Sequence, residues 1–115
     1  MPDDCLFCRI IAGELPSDRL YHDHEVTAFR DINPAGPVHI LIVPNRHISG
    51  VDALEAGDEP LVGRLFSLAR QLAEQEGIQD SGYRLIINNG PDGGQVVYHL
   101  HLHLIGGRRM RYPMG

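Results

Sequence analysis

The sequence predicts an α+β fold, a five-stranded antiparallel sheet with one long and one short helix. Three observations support this prediction. Residues 38–43 form an almost unbroken apolar run, typical of a central strand. Residues 59–76 repeat leucines at helical spacing. Residues 95–105 contain alternating histidines and leucines at the period of a strand.

The short helix is predicted at residues 5–12, where apolar side chains recur at helical spacing. Asp3 or Asp4 could accept hydrogen bonds from its first turn, because aspartate is a common N-cap. Gly13 follows the last apolar residue and is expected to end the helix.

Three strands are predicted next. Residues 20–22 and 26–30 carry strand-forming side chains and are joined by a polar turn. Proline and glycine then indicate a loop before the central strand at 38–43, which Pro44 closes.

The second half supplies the long helix and two further strands. Asp58 is a suitable cap for the helix at 59–76, which has a proline in its first turn. Residues 83–88 predict a strand, and residues 95–105 are expected to pair with it as a hairpin across the glycine-rich turn at 90–94.

Composition sets the class of protein. The 115 residues suffice for one domain over 1–115, with a flexible N-terminus at 1–4 and a C-terminal tail at 106–115. The net charge of −5 argues against a nucleic-acid partner. All 10 basic residues are arginines, which excludes a lysine nucleophile.

No apolar run is long enough for a signal peptide or a membrane span, so the sequence predicts that the protein has no signal peptide and no membrane partner. A cytoplasmic location is therefore expected.

The most informative stretch is a row of histidines near the C-terminus. His99, His101 and His103 occupy every second position, so a strand would place the three imidazoles on one face and the intervening leucines on the other. The outer two would be separated by about 13 Å at their backbones. Such a row suits an extended substrate better than a single metal ion. The alternative is a solvated strand face or an accidental metal-binding tract.

The glycine-rich turn before the row indicates the chemistry. Residues 90–94 contain three glycines, and exposed backbone N–H groups in such turns can bind an anion. Imidazoles beside an anion site favour phosphate chemistry.

With its flanks, this region resembles a known family. Residues 99–105 resemble the motif of the histidine triad superfamily, and Asn88, the Gly-Gly-Gln at 93–95, Tyr98 and residues 106–108 resemble its nucleotide-binding branch. The resemblance extends from about residue 6 to residue 115. It implies a homodimer whose sheets join across a two-fold axis, with the tail near the interface. A monomer with a loose tail is the alternative.

A neutral imidazole can displace a leaving group from phosphorus in two steps through a phosphohistidine-type intermediate. His101, the middle ring, is the candidate nucleophile, as the resemblance also implies. His103 is expected to contact phosphate oxygens or the leaving group as an imidazolium, and His99 to orient the nucleophile. Gln95 could hydrogen-bond the leaving or attacking group. This scheme requires no cofactor.

The resemblance also implies a nucleotide site. Its base-binding positions are apolar: Leu6, Phe7, Leu15, Phe29 and Ile32. It assigns the ribose to Asp31 and the phosphate to Asn88 and the backbone near Gly94, with Val96 and Val97 beside them. From composition alone, Phe7 and Phe29 favour the core, and Asp31 could equally be a turn residue.

Two positions differ from the family pattern. Val96 stands where the branch commonly has a hydroxyl residue that contacts phosphate, so one hydrogen bond is missing. Tyr112 stands where the branch often has tryptophan. The first departure could slow turnover and the second could change leaving-group preference.

Cys5 and Cys8 have the Cys-x-x-Cys spacing of zinc ligands, and His47 with one histidine of the row could complete four ligands. Some relatives hold a structural zinc in this way, with the first triad histidine, here His99. The alternative is two reduced thiols packed on a short helix.

Three histidines remain. His39 is expected to be a core histidine with its hydrogen bonds satisfied. His22 and His24 are expected to face solvent.

The resulting hypothesis is a nucleotide-binding hydrolase with a purine nucleotide substrate. The resemblance implies hydrolysis of the P–N bond of purine nucleoside 5′-phosphoramidates, and of acyl nucleotides, through a nucleotidyl-histidine that releases the nucleoside monophosphate. Two alternatives stay open: a dinucleoside polyphosphate hydrolase, and a nucleotide-binding or interaction protein with little turnover.

Overall fold

The computed structural model describes residues 4–111. The expected flexible residues 1–3 and Tyr112 of the tail lie outside this range. The described elements are two helices and five strands: α1 (Leu6–Ile11), β1 (Arg19–His22), β2 (Val26–Arg30), β3 (Val38–Pro44), α2 (Glu59–Gln75), β4 (Tyr83–Ile86) and β5 (Leu102–Gly106). Two short 3₁₀ turns precede α2.

The five strands form one antiparallel sheet in the order β1-β2-β3-β5-β4. The predicted five-stranded antiparallel sheet with one long and one short helix is thus confirmed. Every residue of β3 is buried, as its apolar run predicts for a central strand. No helix in residues 4–111 is long and apolar enough to cross a membrane.

The two faces of the sheet have different roles. On one face α2 packs through Leu65, Leu68 and Leu72 against a core that includes Leu100, Leu102 and Leu104. The other face carries α1 in a separate apolar cluster that includes Phe7, Phe29 and Leu41. The row of histidines therefore lies on the α1 face, as the alternation predicts.

The predicted long hairpin is wrong in one respect. Strand β5 begins only at Leu102, and its pairing with β4 ends at the Ile86–His103 pair. The backbone of residues 99–101 bonds elsewhere, because the N–H of Leu100 donates to the Ile48 carbonyl at 2.6 Å. Residues 87–101 therefore form a long connection, yet the leucines and histidines within it still alternate between the two faces.

The N-cap of α1 differs from the prediction, whereas that of α2 agrees with it in position but not in its hydrogen bonds. The N-cap of α1 is Cys5, whose thiol accepts from the N–H of Cys8 at 3.3 Å. Asp58 stands at the N-cap of α2 but makes no capping bond to that helix. Its carboxylate accepts from the N–H of Glu55 and pairs with Arg46, so it fixes the turn before α2.

Candidate active site

Two of the three histidines of the row, His99 and His101, lie edge-on to Phe7, and the third, His103, lies beside His101. The ring centroids of Phe7 and His101 are 5.1 Å apart, and those of Phe7 and His99 are 6.0 Å apart. The rings of His101 and His103 are 4.9 Å apart. Helix α1 thus covers one side of the row and leaves His101 and His103 on the wall of a cavity.

The tautomer of His101 is fixed by its own backbone. Its Nδ1 lies 2.6 Å from the carbonyl oxygen of His99, and because a carbonyl only accepts, Nδ1 carries the proton. The lone pair of the neutral ring is then on Nε2. Burial lowers the pKa of His101, which keeps the ring neutral near pH 7. His101 therefore has the form that a nucleophile requires.

His99 supports His101 through its carbonyl and turns its ring away. Its Nε2–H donates to the carbonyl of Pro44 at 2.7 Å, so Nδ1 carries the lone pair. That lone pair faces the thiols of Cys5 at 3.4 Å and Cys8 at 3.5 Å. Burial lowers the pKa of His99 to about 4.

His103 is held by a chain of hydrogen bonds that begins in the loop before β3. The N–H of Ala35 donates to His39 Nδ1 at 2.9 Å, so the proton of a neutral His39 is on Nε2. His39 Nε2 lies 2.9 Å from His103 Nδ1 and donates to it. The proton of His103 is then on Nε2, a buried atom with no hydrogen-bond partner among residues 4–111. His103 therefore presents an unused donor.

His39 was predicted only as a core histidine. It is buried, and both ring nitrogens are hydrogen-bonded. Its link to His103 joins β3 to β5 over a separation of 64 residues. No local pattern around His39 indicates this contact, because it depends on which strands are neighbours in the sheet.

The expected imidazolium form of His103 does not fit this environment. Burial, together with the nearby His101 and His39, lowers the pKa of His103 to about 4. In the ligand-free protein His103 is therefore a neutral donor near pH 7.

The neutral pair His39–His103 should make the fold sensitive to mild acid. Free histidine has a pKa of 6.5, whereas the pKa of His103 is about 4 and burial also lowers that of His39. As the pH falls from about 6.5 to about 4, the unfolded chain gains protons that the folded chain does not. We therefore expect stability to be full above this window and to decline through it.

Urea unfolding across this pH range tests the expectation. The His103→Gln variant should show a weaker decline than the wild type. His24→Gln, a change in an exposed ring, should leave the decline intact. A urea midpoint independent of pH would contradict this assignment.

The cavity next to His101 has a volume of about 550 Å³. All ten positions that the resemblance assigns to the nucleotide line it: Leu6, Phe7, Leu15, Phe29, Asp31, Ile32, Asn88, Gly94, Val96 and Val97. Phe7 and Phe29 are buried against each other in an edge-on contact while also forming its wall. Core and cleft are therefore not alternatives for these two rings.

Asp31 connects the cavity with the hydrogen-bond chain. One carboxylate oxygen accepts from the N–H of Asn33 at 2.8 Å and so forms the turn that sequence alone left open. The other lies 3.5 Å from His39 Nε2. Asp31 therefore places a carboxylate on the cavity wall, next to His39, which is the hydrogen-bond partner of His103.

The glycine-rich turn consumes some of the N–H groups expected to bind an anion. The N–H of Gly94 donates to Pro91, and that of Gln95 to Gly90. No residue in the range 4–111 accepts from the N–H of Val96 or Val97. The N–H groups of Val96 and Val97, two and three residues after Gly94, are therefore available to bind an anion.

Gln95 does not lie on the cavity wall, where the predicted contact with the reacting groups would require it to be. It is buried, and its amide oxygen accepts from the N–H of Gly90 at 2.9 Å. Its amide nitrogen donates to the carbonyls of Ser49 and Val97. Gln95 is absent from the cavity wall and holds the turn instead.

Behind the row, Cys5, Cys8, His47 and His99 form a compact cluster whose ligand atoms all lie within 4.8 Å of one another. Cys8 Sγ is 3.3 Å from His47 Nδ1. Burial and the neighbouring Cys5 raise the pKa of Cys8 to about 11. The free lone pair of His99 Nδ1 and this set of two sulfurs and two nitrogens fit tetrahedral zinc.

Comparison with known proteins identifies the family. The HIT domain model matches residues 12–110. This chain belongs to the HIT family. The expected histidine triad assignment is therefore confirmed, and the solvent-facing positions of His22 and His24 also agree with the prediction.

Two similar proteins and one solved structure show what this chain resembles within the family. The chain is 52% identical over 115 residues to a purine nucleoside phosphoramidase of Escherichia coli, covering 100% of this chain and 93% of the relative. It is 48% identical to a 14 kDa zinc-binding protein of Brassica juncea, and the match covers 97% of this chain and 100% of that relative. The crystal structure of a HIT family hydrolase from Legionella pneumophila superposes on this chain with a TM-score of 0.95 at 45% sequence identity. The superposition covers 97% of this chain and 100% of the hydrolase chain.

Proposed function

We propose that this HIT family protein hydrolyses the P–N bond of purine nucleoside 5′-phosphoramidates. The observation that carries the proposal is His101, a buried neutral imidazole whose free Nε2 faces a nucleotide-sized cavity. The similarity to a phosphoramidase over the whole chain supports the same reaction. Acyl nucleotides, which also carry a leaving group on phosphorus, are a further expected substrate class.

The cavity supplies separate environments for the parts of a nucleotide. The purine would lie between apolar side chains that include Phe7, Phe29 and Ile32, and Asp31 would accept from the ribose hydroxyls. Asn88 and the N–H groups of Val96 and Val97 would bind the phosphate oxygens.

His101 performs the first displacement. Its Nε2 bonds to phosphorus as the P–N bond breaks, and the leaving nitrogen takes the electron pair and a proton from solvent. The new positive charge on His101 is stabilised at Nδ1–H by the His99 carbonyl. His103 Nε2–H donates to a phosphoryl oxygen. Water then displaces His101 from phosphorus and yields the nucleoside monophosphate.

Turnover of adenosine 5′-phosphoramidate tests the proposal. Release of AMP and ammonia, together with a nucleotidyl adduct trapped on the protein, is the expected result. Tight binding of AMP without turnover would favour the nucleotide-binding protein, for which the exposed Val96 is the motivating feature. Preferential cleavage of diadenosine polyphosphates would favour the other hydrolase.

The proposal includes a homodimer. Strand β4 lies at the edge of the sheet, and only one of its sides is paired with another described strand. Pairing of β4 with its copy across a two-fold axis would join the two sheets. Sedimentation velocity should show a dimer. Leu85→Pro, a change within the edge strand β4, should shift the protein towards the monomer.

Structural zinc is also part of the proposal. Cys5, Cys8, His47 and His99 would hold the ion, which would link α1 to the end of the histidine row and take no part in the hydrolysis. We expect about one zinc per chain by elemental analysis. Cys8→Ser should abolish zinc binding and lower the melting temperature, whereas the exposed His24→Ala should alter neither. Absence of zinc from protein purified without chelators would contradict it.

The two thiols of the Cys5–Cys8 pair favour a reducing compartment. Both cysteines are free, and such pairs persist in reduced form in the cytoplasm. We therefore keep the cytoplasm as the proposed location.

A further inference from the structure

A short segment after β3, residues 48–52, packs against the glycine-rich turn. The carbonyl of Ser49 accepts from the side-chain amide of Gln95 at 2.8 Å. Asp52 and Asn89 exchange two hydrogen bonds of 3.3 Å each: the N–H of Asp52 donates to the Asn89 amide, and that amide donates to the Asp52 carboxylate. The segment 48–52 therefore contacts the glycine-rich turn just before its start and just after its end.

Gly50 allows this close approach. Its backbone is extended, with φ −179° and ψ −173°, so the conformation itself does not require glycine. A Cβ at this position would lie 2.8 Å from Asn89 Oδ1 and 3.3 Å from Gln95 Oε1. The first contact is a steric clash and the second is tight. A side chain here would therefore push the segment and the turn apart.

Gln95 connects the segment to the turn. Its N–H donates to the Gly90 carbonyl at 3.0 Å, and its Oε1 accepts from the Gly90 N–H at 2.9 Å. The two N–H bonds of the side-chain amide point to the carbonyl of Ser49 and, at 3.2 Å, to that of Val97. No donor of this amide is left for a substrate. The buried side chain therefore ties three pieces of backbone together.

The backbone N–H groups of Val96 and Val97 come directly after this anchored residue. Both residues line the nucleotide cavity, and within residues 4–111 neither N–H has an acceptor. The side chain of Val96 is 86% exposed, so packing does not hold this stretch in place. Its position depends instead on the hydrogen bonds of Gln95. Donors that are ordered before a phosphate arrives bind it more tightly, because no ordering cost remains.

We propose that Gln95 is a positioning residue, held by the segment 48–52, that orients the N–H groups of Val96 and Val97 towards the phosphate. This role rests on the proposed function and deepens it, because it names what orders the phosphate-binding backbone. Gln95 should then determine the affinity for a phosphate group. It should leave the affinity for the nucleoside unchanged, because the purine and the ribose contact other parts of the cavity wall.

Binding of AMP and of adenosine, each measured by calorimetry, separates the phosphate contacts from the rest. Gln95→Met keeps the length of the side chain and removes its amide. We expect the affinity for AMP to fall about tenfold and that for adenosine to change less than about twofold. Gln71→Met, the same change at an exposed position of α2, should keep both wild-type affinities. Equal losses for the two ligands, or no loss for AMP, would overturn the role of Gln95.

Gly50→Val perturbs the same contact from the other side and decides the question if Gln95→Met does not fold. Overpacking here should lower the affinity for AMP at least about threefold and again spare adenosine. Gly57→Val is the matched control, because Gly57 is exposed and a Cβ there would meet no distant residue within 4 Å. Absence of a selective loss in Gly50→Val would contradict the supporting role of residues 48–52.

The wild type separates a failure of this role from a failure of the proposed function. If the wild type binds AMP more tightly than adenosine and the variants keep that ratio, only the positioning role is wrong. If the wild type binds both ligands equally, the phosphate contacts of the proposed function are wrong, and the positioning role is overturned with them.

Discussion

Replacement of His101 by alanine is expected to lower kcat/KM for adenosine 5′-phosphoramidate by at least about a thousandfold. The reason is that no other imidazole can replace its Nε2. His99 directs its lone pair at Cys5 and Cys8, and His103 accepts on Nδ1 from His39. The nucleotidyl adduct seen in the wild type should map to His101 and be absent from the variant.

The variant must still fold and bind nucleotide for this result to count. The phenylalanine and apolar contacts of the cavity remain, so AMP affinity should change much less than turnover. His24→Ala removes an exposed ring and should retain wild-type activity. Turnover within tenfold of the wild type in His101→Ala would remove His101 as the nucleophile.

The elements of the fold could be predicted because their patterns are local. Strand β2 was predicted with its observed bounds, and β3 and α2 to within one residue at each end. The alternation of Leu100, Leu102 and Leu104 with the histidines was also sufficient to place the imidazoles on one face. It held even where regular strand pairing stops, because burial against α2 fixes the leucines.

The connections within the site could not be predicted, because they depend on neighbours distant in the chain. Gln95 lies beside the histidine row in sequence, yet the carbonyl of Ser49 and the N–H of Gly90 occupy its amide. The pKa of His103 is another case. An isolated sequence indicates a titratable ring near a phosphate site, whereas burial is what makes the ring neutral.

The second large effect is expected at His39, which acts through His103. Without its Nε2–H, the Nδ1 atom of His103 has no donor, and the proton of the ring can move to Nδ1. In that tautomer His103 would present a lone pair to the phosphate instead of a proton. We expect His39→Leu to lower kcat by about 10- to 100-fold, by analogy with the loss seen when the hydrogen-bond partner that fixes the tautomer of a metal-ligating histidine is removed.

A comparison of His39→Leu with His39→Gln separates this role from packing. The glutamine amide can accept from the N–H of Ala35 and donate to His103, so it should restore most of the activity that leucine loses. The loss should appear in kcat more than in KM, because the walls around the purine are unchanged. If both variants lose activity equally, His39 matters for packing alone; if neither does, the tautomer of His103 is fixed without it.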